Sequence, residues 1–124
     1  MKKAVESLKA PKAIGPFSQA IETDSLIFIS GQLPINAETN EMAEGIKAQT
    51  RQSLENIKAI LKECSLDMNS VVKTTVFLKD MKDFADMNEV YAEFFSDLYP
   101  ARMCCQVVAL PKDALIEIEA IATK

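Results

Sequence analysis

Apolar residues along the chain follow two different periods. From Gly45 to Cys64, Ile46, Leu54, Ile57, Leu61 and Cys64 recur at helical spacing. Thr50 fills the first step, and Lys47, Arg51, Lys58 and Lys62 take the wetter faces. A second helical stretch over Asp83–Leu98 carries Phe84, Met87, Val90, Tyr91, Phe94, Phe95 and Leu98, with acidic residues near its start and Tyr99-Pro100 as its stop. Between them Val71–Leu78 alternates, with Val72, Thr74, Val76 and Leu78 on one face, and predicts a central strand.

The remaining segments read as short strands and one long loop. Ala4–Leu8 predicts an edge strand, and Ala10–Pro16 a loop, because Pro11, Gly15 and Pro16 oppose a regular ladder. Ile21 and its neighbours form a hairpin with Leu26–Ser30 around Thr23-Asp24-Ser25. Two final strands, Ala101–Leu110 and Leu115–Ala122, join through Pro111-Lys112-Asp113. The order β-β-β-α-β-α-β-β predicts one α+β domain over residues 1–124, a single mixed sheet with both helices packed on one side.

That arrangement leaves the second face of the sheet to be covered. On the last strand Ile116, Ile118, Ala120 and Ala122 suit the helices, while Leu115, Glu117, Glu119 and Ile121 mix apolar with acidic groups. Such a face is awkward in a monomer and natural where subunits meet around a polar pocket, so an oligomer is expected.

Composition narrows the chemistry. The chain has 124 residues, a formal net charge of −4 and no histidine. Histidine dyads, triads and His-containing zinc sites are therefore excluded. An acidic balance without a basic stripe argues against nucleic acid as a partner. No apolar run exceeds four residues and the N-terminal MKKAVESLKAPK lacks a signal-type core, so a cytoplasmic protein with no membrane partner is expected. Cys64, Cys104 and Cys105 have no metal-type spacing and fit reduced thiols.

The candidate chemistry lies near the C-terminus. Alternation puts Arg102, Cys104, Gln106 and Val108 on one strand face, and the neighbouring strand is expected to offer Glu117 and Glu119. An arginine there can fork a substrate carboxylate while a glutamate handles water or a proton; a structural Arg–Glu pair is the ordinary alternative. Cys104 has no imidazole to make it a thiolate, and Cys105 reads as core. Phe17, Tyr91, Phe94 and Phe95 read as packing residues, Asn88 as a solvated side chain, and Ser30-Gly31 as a strand end.

Several blocks carry a resemblance: APKAIGPFSQAI (Ala10–Ile21), ISGQLPIN (Ile29–Asn36), QTRQSLENIKAIL (Gln49–Leu61), VVKTTVFLKDMKDF (Val71–Phe84), NEVYAEFF (Asn88–Phe95), and PAR followed by LPKDALIEIEAIA (Pro100–Ala122). Together they resemble the Rid, or YjgF, family of reactive-intermediate deaminases, from about Ala10 to the C-terminus.

The resemblance implies a chorismate-mutase-like α+β fold, a homotrimer with pockets between subunits, and no cofactor or metal. It implies hydrolysis of 2-imino acids, such as 2-iminopropanoate and 2-iminobutanoate, to 2-oxo acids and ammonia. Their enamine precursors come from pyridoxal-phosphate-dependent dehydratases. The family's carboxylate-binding arginine falls on Arg102 and its water-handling glutamate on Glu117. Its other substrate-binding positions fall on Phe17, Ser30, Gly31, Asn88 and Cys104. Phe17 stands where the deaminases usually carry tyrosine, and Gln106 and Ala109 where glutamate and arginine are frequent.

The implied reaction suits a chain without histidine, since a protonated imine is already electrophilic and mainly needs orientation and one proton managed. A glutamate beside an arginine would be a weak base unless burial offsets the cation. The rival expectation is a non-catalytic trimeric binder of small carboxylates or 2-oxo acids. An RNA-cleaving activity, also attached to such sequences, has the poorest footing in this acidic chain.

Overall fold

The computed structural model describes residues 1–124. Six strands and two helices follow the expected order: β1 (Lys3–Val5), β2 (Ala20–Glu22), β3 (Leu26–Gln32), α1 (Ile46–Glu63), β4 (Val71–Leu78), α2 (Phe84–Ala92), β5 (Ala101–Gln106) and β6 (Ile116–Thr123). They form one mixed sheet in the order β1-β2-β3-β6-β4-β5. Every pairing is antiparallel except β4 with β5. That parallel pair needs a crossover, and α2 supplies it.

Both helices cover the same side. Leu54, Ile57, Ile60 and Leu61 of α1 and Met87 and Tyr91 of α2 share one core with Ile27, Ile29, Val76, Leu78, Ile116 and Ile118 of the sheet. The α+β expectation of a single mixed sheet under two helices is borne out. Burial of these branched side chains away from water is the main stabilising term. On the opposite face Phe28 pairs with Ile121 and, with Phe77 and Met103, meets no layer of the chain's own.

Several boundaries differ from the sequence expectation. β1 stops at Val5, because the Ser7 amide donates to the Gln19 side-chain oxygen at 2.6 Å rather than to a neighbouring strand. α2 ends at Ala92 rather than Leu98: the Glu93 and Phe94 amides bond three residues back, to Val90 and Tyr91, and close the helix with a tight turn. Phe95 is buried beyond that turn, against Tyr91. β5 stops at Gln106 because its partner β4 ends at Leu78, so Val108 projects into solvent. A register shift between Val71 and Lys73 turns Val72 outward and Val71 inward, which interrupts the predicted alternation of β4.

The expected neighbour of β5 also changes. β4 lies between β5 and β6, so the strand of Arg102 does not touch the strand of Glu117. Cys105, read as core, faces the uncovered side and is half-buried.

Candidate active site

The expected site residues divide between the two sides of the sheet. In the parallel register Arg102 sits beside Thr74 and Cys104 beside Val76, both on the helix-covered face. Glu117 pairs with Phe77 on the opposite face. A structural Arg102–Glu117 ion pair within one chain is thereby ruled out.

Around Arg102, α2 builds an aromatic and polar seat. The guanidinium carbon lies 4.8 Å from the centre of the Tyr91 ring and 5.5 Å from that of Phe84. Its Nη1 donates to the Asn88 Oδ1 at 2.8 Å. Asn88 is thus a positioning group for the cation, not the solvated side chain its type alone implies. Tyr91 is itself fixed by a 2.7 Å hydrogen bond with Thr74, the strand neighbour of Arg102. None of the chain's ion pairs involves Arg102. A half-buried guanidinium with only neutral partners keeps donors for an anion. Arg102, Asn88, Tyr91 and Tyr99 line a cavity of about 480 Å³.

Cys104 lies two residues along the same face, and its thiol is held in the protonated form. Burial pushes its thiol up, and the nearby Arg102 charge only partly opposes this.

The second cluster surrounds Glu117. A register irregularity between Ile29 and Gln32 lets β3 approach the β6 carboxylate at Gly31. A Cβ at Gly31 would lie 2.7 Å from the Glu117 Oε2. Burial raises the Glu117 carboxyl above its ordinary value, and repulsion from Glu119 adds to it. The anticipated lowering by a neighbouring arginine does not arise within the chain, because Arg102 is on the other face.

Ser30 holds the long loop against this cluster. Its Oγ donates to the Ser18 carbonyl at 2.6 Å and its amide to the Gln19 carbonyl at 2.9 Å. Gln19, only 4 % exposed, donates from Nε2 to the Ser7, Ala10 and Pro11 carbonyls while accepting the Ser7 amide. With the loop so fixed, the Phe17 ring stands 55 % exposed above Gly15, a residue whose φ of +125° suits glycine. Phe17 is therefore a wall of the site rather than a packing residue. Phe17, Ser30, Gly31 and Glu117 line a groove of about 640 Å³.

The chain as a whole has counterparts among known proteins. Residues 7–124 match the model of a family described as endoribonuclease L-PSP. The chain belongs to that family. It is 58 % identical over 125 residues to the RutC family protein PH0854 of Pyrococcus horikoshii, covering 100 % of this chain and 99 % of the relative. It is 47 % identical over 127 residues to the 2-iminobutanoate/2-iminopropanoate deaminase of Salmonella typhimurium, covering 100 % and 99 %. The crystal structure of Escherichia coli TdcF with bound serine superposes with a TM-score of 0.96 at 46 % identity, over 98 % of each chain. The resemblance to the Rid, or YjgF, proteins is borne out, and relatives named as deaminases support a deaminase activity.

Within this family member, sequence reasoning missed two supporting residues. Gln19 clamps the Phe17 loop, and Tyr91 seats Arg102. A glutamine directly before a β-rich stretch carries no signal that it will be buried. The helical spacing of Tyr91 marked it as core, but not as the ring beneath a cation. No helix is long and apolar enough to cross a membrane.

Proposed function

We propose that this protein hydrolyses reactive 2-imino acids, 2-iminopropanoate and 2-iminobutanoate among them, to 2-oxo acids and ammonia. Its sites lie, in this proposal, between the subunits of a homotrimer. The observation that carries it is the Arg102 guanidinium, within 5.5 Å of the Phe84 and 4.8 Å of the Tyr91 ring centres, bonded to Asn88 and lacking any acidic partner. Such a cation is ready to fork a substrate carboxylate.

Arg102, Asn88 and Cys104 of one subunit then face Phe17, Ser30, Gly31 and Glu117 of the next. The uncovered apolar face bearing Phe28 and Met103 supports subunit contact. Water adds to the carbon of the protonated imine as the Glu117 carboxylate takes one water proton, giving a neutral carbinolamine. Glu117 returns that proton to the amine. As the C–N bond breaks the hydroxyl oxygen forms the carbonyl and loses its proton, and ammonia leaves as ammonium. Within one chain burial raises the Glu117 carboxyl, which opposes the lowering that a neighbouring subunit's Arg102 would impose on it.

Two relatives support this assignment: the Salmonella typhimurium deaminase by its name, and TdcF by the serine it binds, an amino acid carboxylate of comparable size. β-Elimination from serine or threonine by a pyridoxal-phosphate-dependent dehydratase is the matching source of substrate.

Threonine dehydratase coupled to this protein, with semicarbazide competing for the imine, tests the reading. Faster 2-oxobutanoate release with wild type, lost in Arg102→Ala, is expected. Without acceleration the deaminase reading fails; saturable 2-oxo acid binding dependent on Arg102 would then identify the carboxylate binder instead.

A further inference from the structure

Helix α1 carries two buried amides on one face. Gln49 is 5 % exposed and Asn56, two turns further on, 1 %. Both reach out of the helix to backbone groups beside the Glu117 cluster. Asn56 donates from Nδ2 to the Leu33 and Ile35 carbonyls at 3.1 and 3.0 Å, directly after β3. Gln49 donates from Nε2 to the Ala43 carbonyl at 3.0 Å and accepts the Leu115 amide on Oε1 at 2.8 Å. The loop between Leu33 and Ala43 is braced across itself by an Ile35–Met42 bridge and by the Ala43 amide donating to the Pro34 carbonyl at 3.1 Å. The two helix amides therefore hold it as one piece with the end of β3.

The Leu115 bond falls where β6 has least other support. In the turn before it Lys112 and Asp113 both take a φ of +57°, a strained conformation for residues with a side chain. The Lys79–Asp113 ion pair of that turn is exposed, and such pairs contribute little. Pairing of β3 with β6 reaches only Gln32 and Ile118, so on that side the Glu117 backbone has no strand partner. On the other side β4 pairs with Ile116 and Glu117, and the Lys79 amide donates to the Leu115 carbonyl at 2.9 Å. Gln49 completes the hold on Leu115.

We propose that Gln49 is a positioning residue for Glu117: by holding the Leu115 amide it fixes where β6 starts, and so how the carboxylate two residues on lies against Gly31. With Asn56 it makes α1 the common reference for both strands of that contact. The proposal rests on the deaminase reading, in which Glu117 handles the water.

Gln49→Met fills similar space without the hydrogen bonds, whereas Gln49→Glu keeps an oxygen for the Leu115 amide, ionised or protonated. Turnover is read in the threonine dehydratase assay and carboxylate binding by calorimetry with 2-oxobutanoate. A misplacement of about 1 Å costs about a hundredfold, so a shift of half that size should lower turnover in Gln49→Met about tenfold, with Kd within about twofold of wild type. Gln49→Glu should stay within about threefold of wild-type turnover although its Tm falls. Ile57→Val, which thins the core under the same helix, should lower Tm without loss of turnover. In the wild type, a measurement that needs no variant, the Leu115 amide should exchange with solvent as slowly as the hydrogen-bonded amides of β6. Unchanged turnover in Gln49→Met, an equal loss in Gln49→Glu or Ile57→Val, or a Leu115 amide exchanging at loop rates overturns the proposal and leaves the deaminase reading intact. No acceleration by the wild type overturns that reading itself, and with it the role for which Glu117 is placed.

Discussion

A Cβ placed on Gly31 would come within 2.7 Å of the Glu117 Oε2 and 3.0 Å of its Cδ. Gly31 has no positive φ, so the missing side chain is a matter of space and not of backbone freedom. The glycine lets β3 pass against a carboxylate on β6 whose proton affinity burial has already raised.

Gly31→Ala should therefore damage chemistry more than stability. The clash falls on the end of a flexible side chain, which can rotate away at a cost of about 1 kcal/mol or less. A carboxylate displaced by an ångström is expected to lose about a hundredfold in kcat. Imine turnover and thermal unfolding, measured on the same preparation, separate the two effects. A fall in Tm with unchanged kcat would show that the contact serves only packing.

Glu117 gives a pH signature of opposite sign in activity and stability. Its carboxyl is raised above the ordinary 4.5, chiefly by burial. If the carboxylate accepts the water proton, kcat falls on acidification as Glu117 becomes protonated. For stability, the folded protein holds this proton to higher pH than the unfolded chain. The group is thus harmless below the unfolded value and destabilises as pH rises through the folded one. Glu117→Gln should lower kcat by about a hundredfold or more yet unfold at a higher temperature than wild type at neutral pH. That small difference, limited because the group is half-exposed, should vanish at about pH 4. A lower Tm at neutral pH would mean that the charged form is the one the fold prefers.

Asn88 and Arg102 make a sharper pair of variants. Asn88→Ala removes a hydrogen bond to a charged group, worth about 1.5–3 kcal/mol, and should raise KM about tenfold with a smaller change in kcat. Asn88→Asp keeps the geometry but gives the guanidinium an anion of its own. It should be the worse of the two, because the introduced carboxylate competes for the donors a substrate needs. Titration with a 2-oxo acid by calorimetry reads this directly; tighter binding in Asn88→Asp than in Asn88→Ala would contradict the carboxylate role of Arg102.

The contrast between Asn88 and Glu117 also marks how much was legible in the sequence. Element order, helix faces and the inward set on β6 followed from periodicity, because alternate burial at Ile116, Ile118 and Ala120 leaves a pattern in any chain that folds this way. Which strands lie side by side did not follow. Arg102 and Glu117 looked like strand neighbours, but β4 enters between their strands, and no local pattern records that choice. Residues acting through long-range bonds were equally silent. Gln19 and Tyr91 are ordinary by type and spacing, and acquire their roles only when Ser7, Pro11, Thr74 and Arg102 are brought to them.

Separation of Arg102 from Glu117 by the thickness of the sheet leads to a test of assembly. A 2-imino acid has its carboxylate bonded directly to its reacting carbon, so one substrate cannot reach both groups of the same chain. If both are essential, they must come from two subunits, and variants lacking either one should complement. Arg102→Ala and Glu117→Gln proteins, each inactive, would be mixed, unfolded and refolded together. In a ring of three with random mixing, an intact site needs an Arg102-bearing subunit facing a Glu117-bearing neighbour. Each condition has a chance of one half, so about one quarter of wild-type activity should return. Native mass spectrometry on size-tagged subunits would verify that mixed trimers formed. Mixed trimers without recovered activity would place the two residues in separate functions, and recovery above about one third would be incompatible with one shared site per interface.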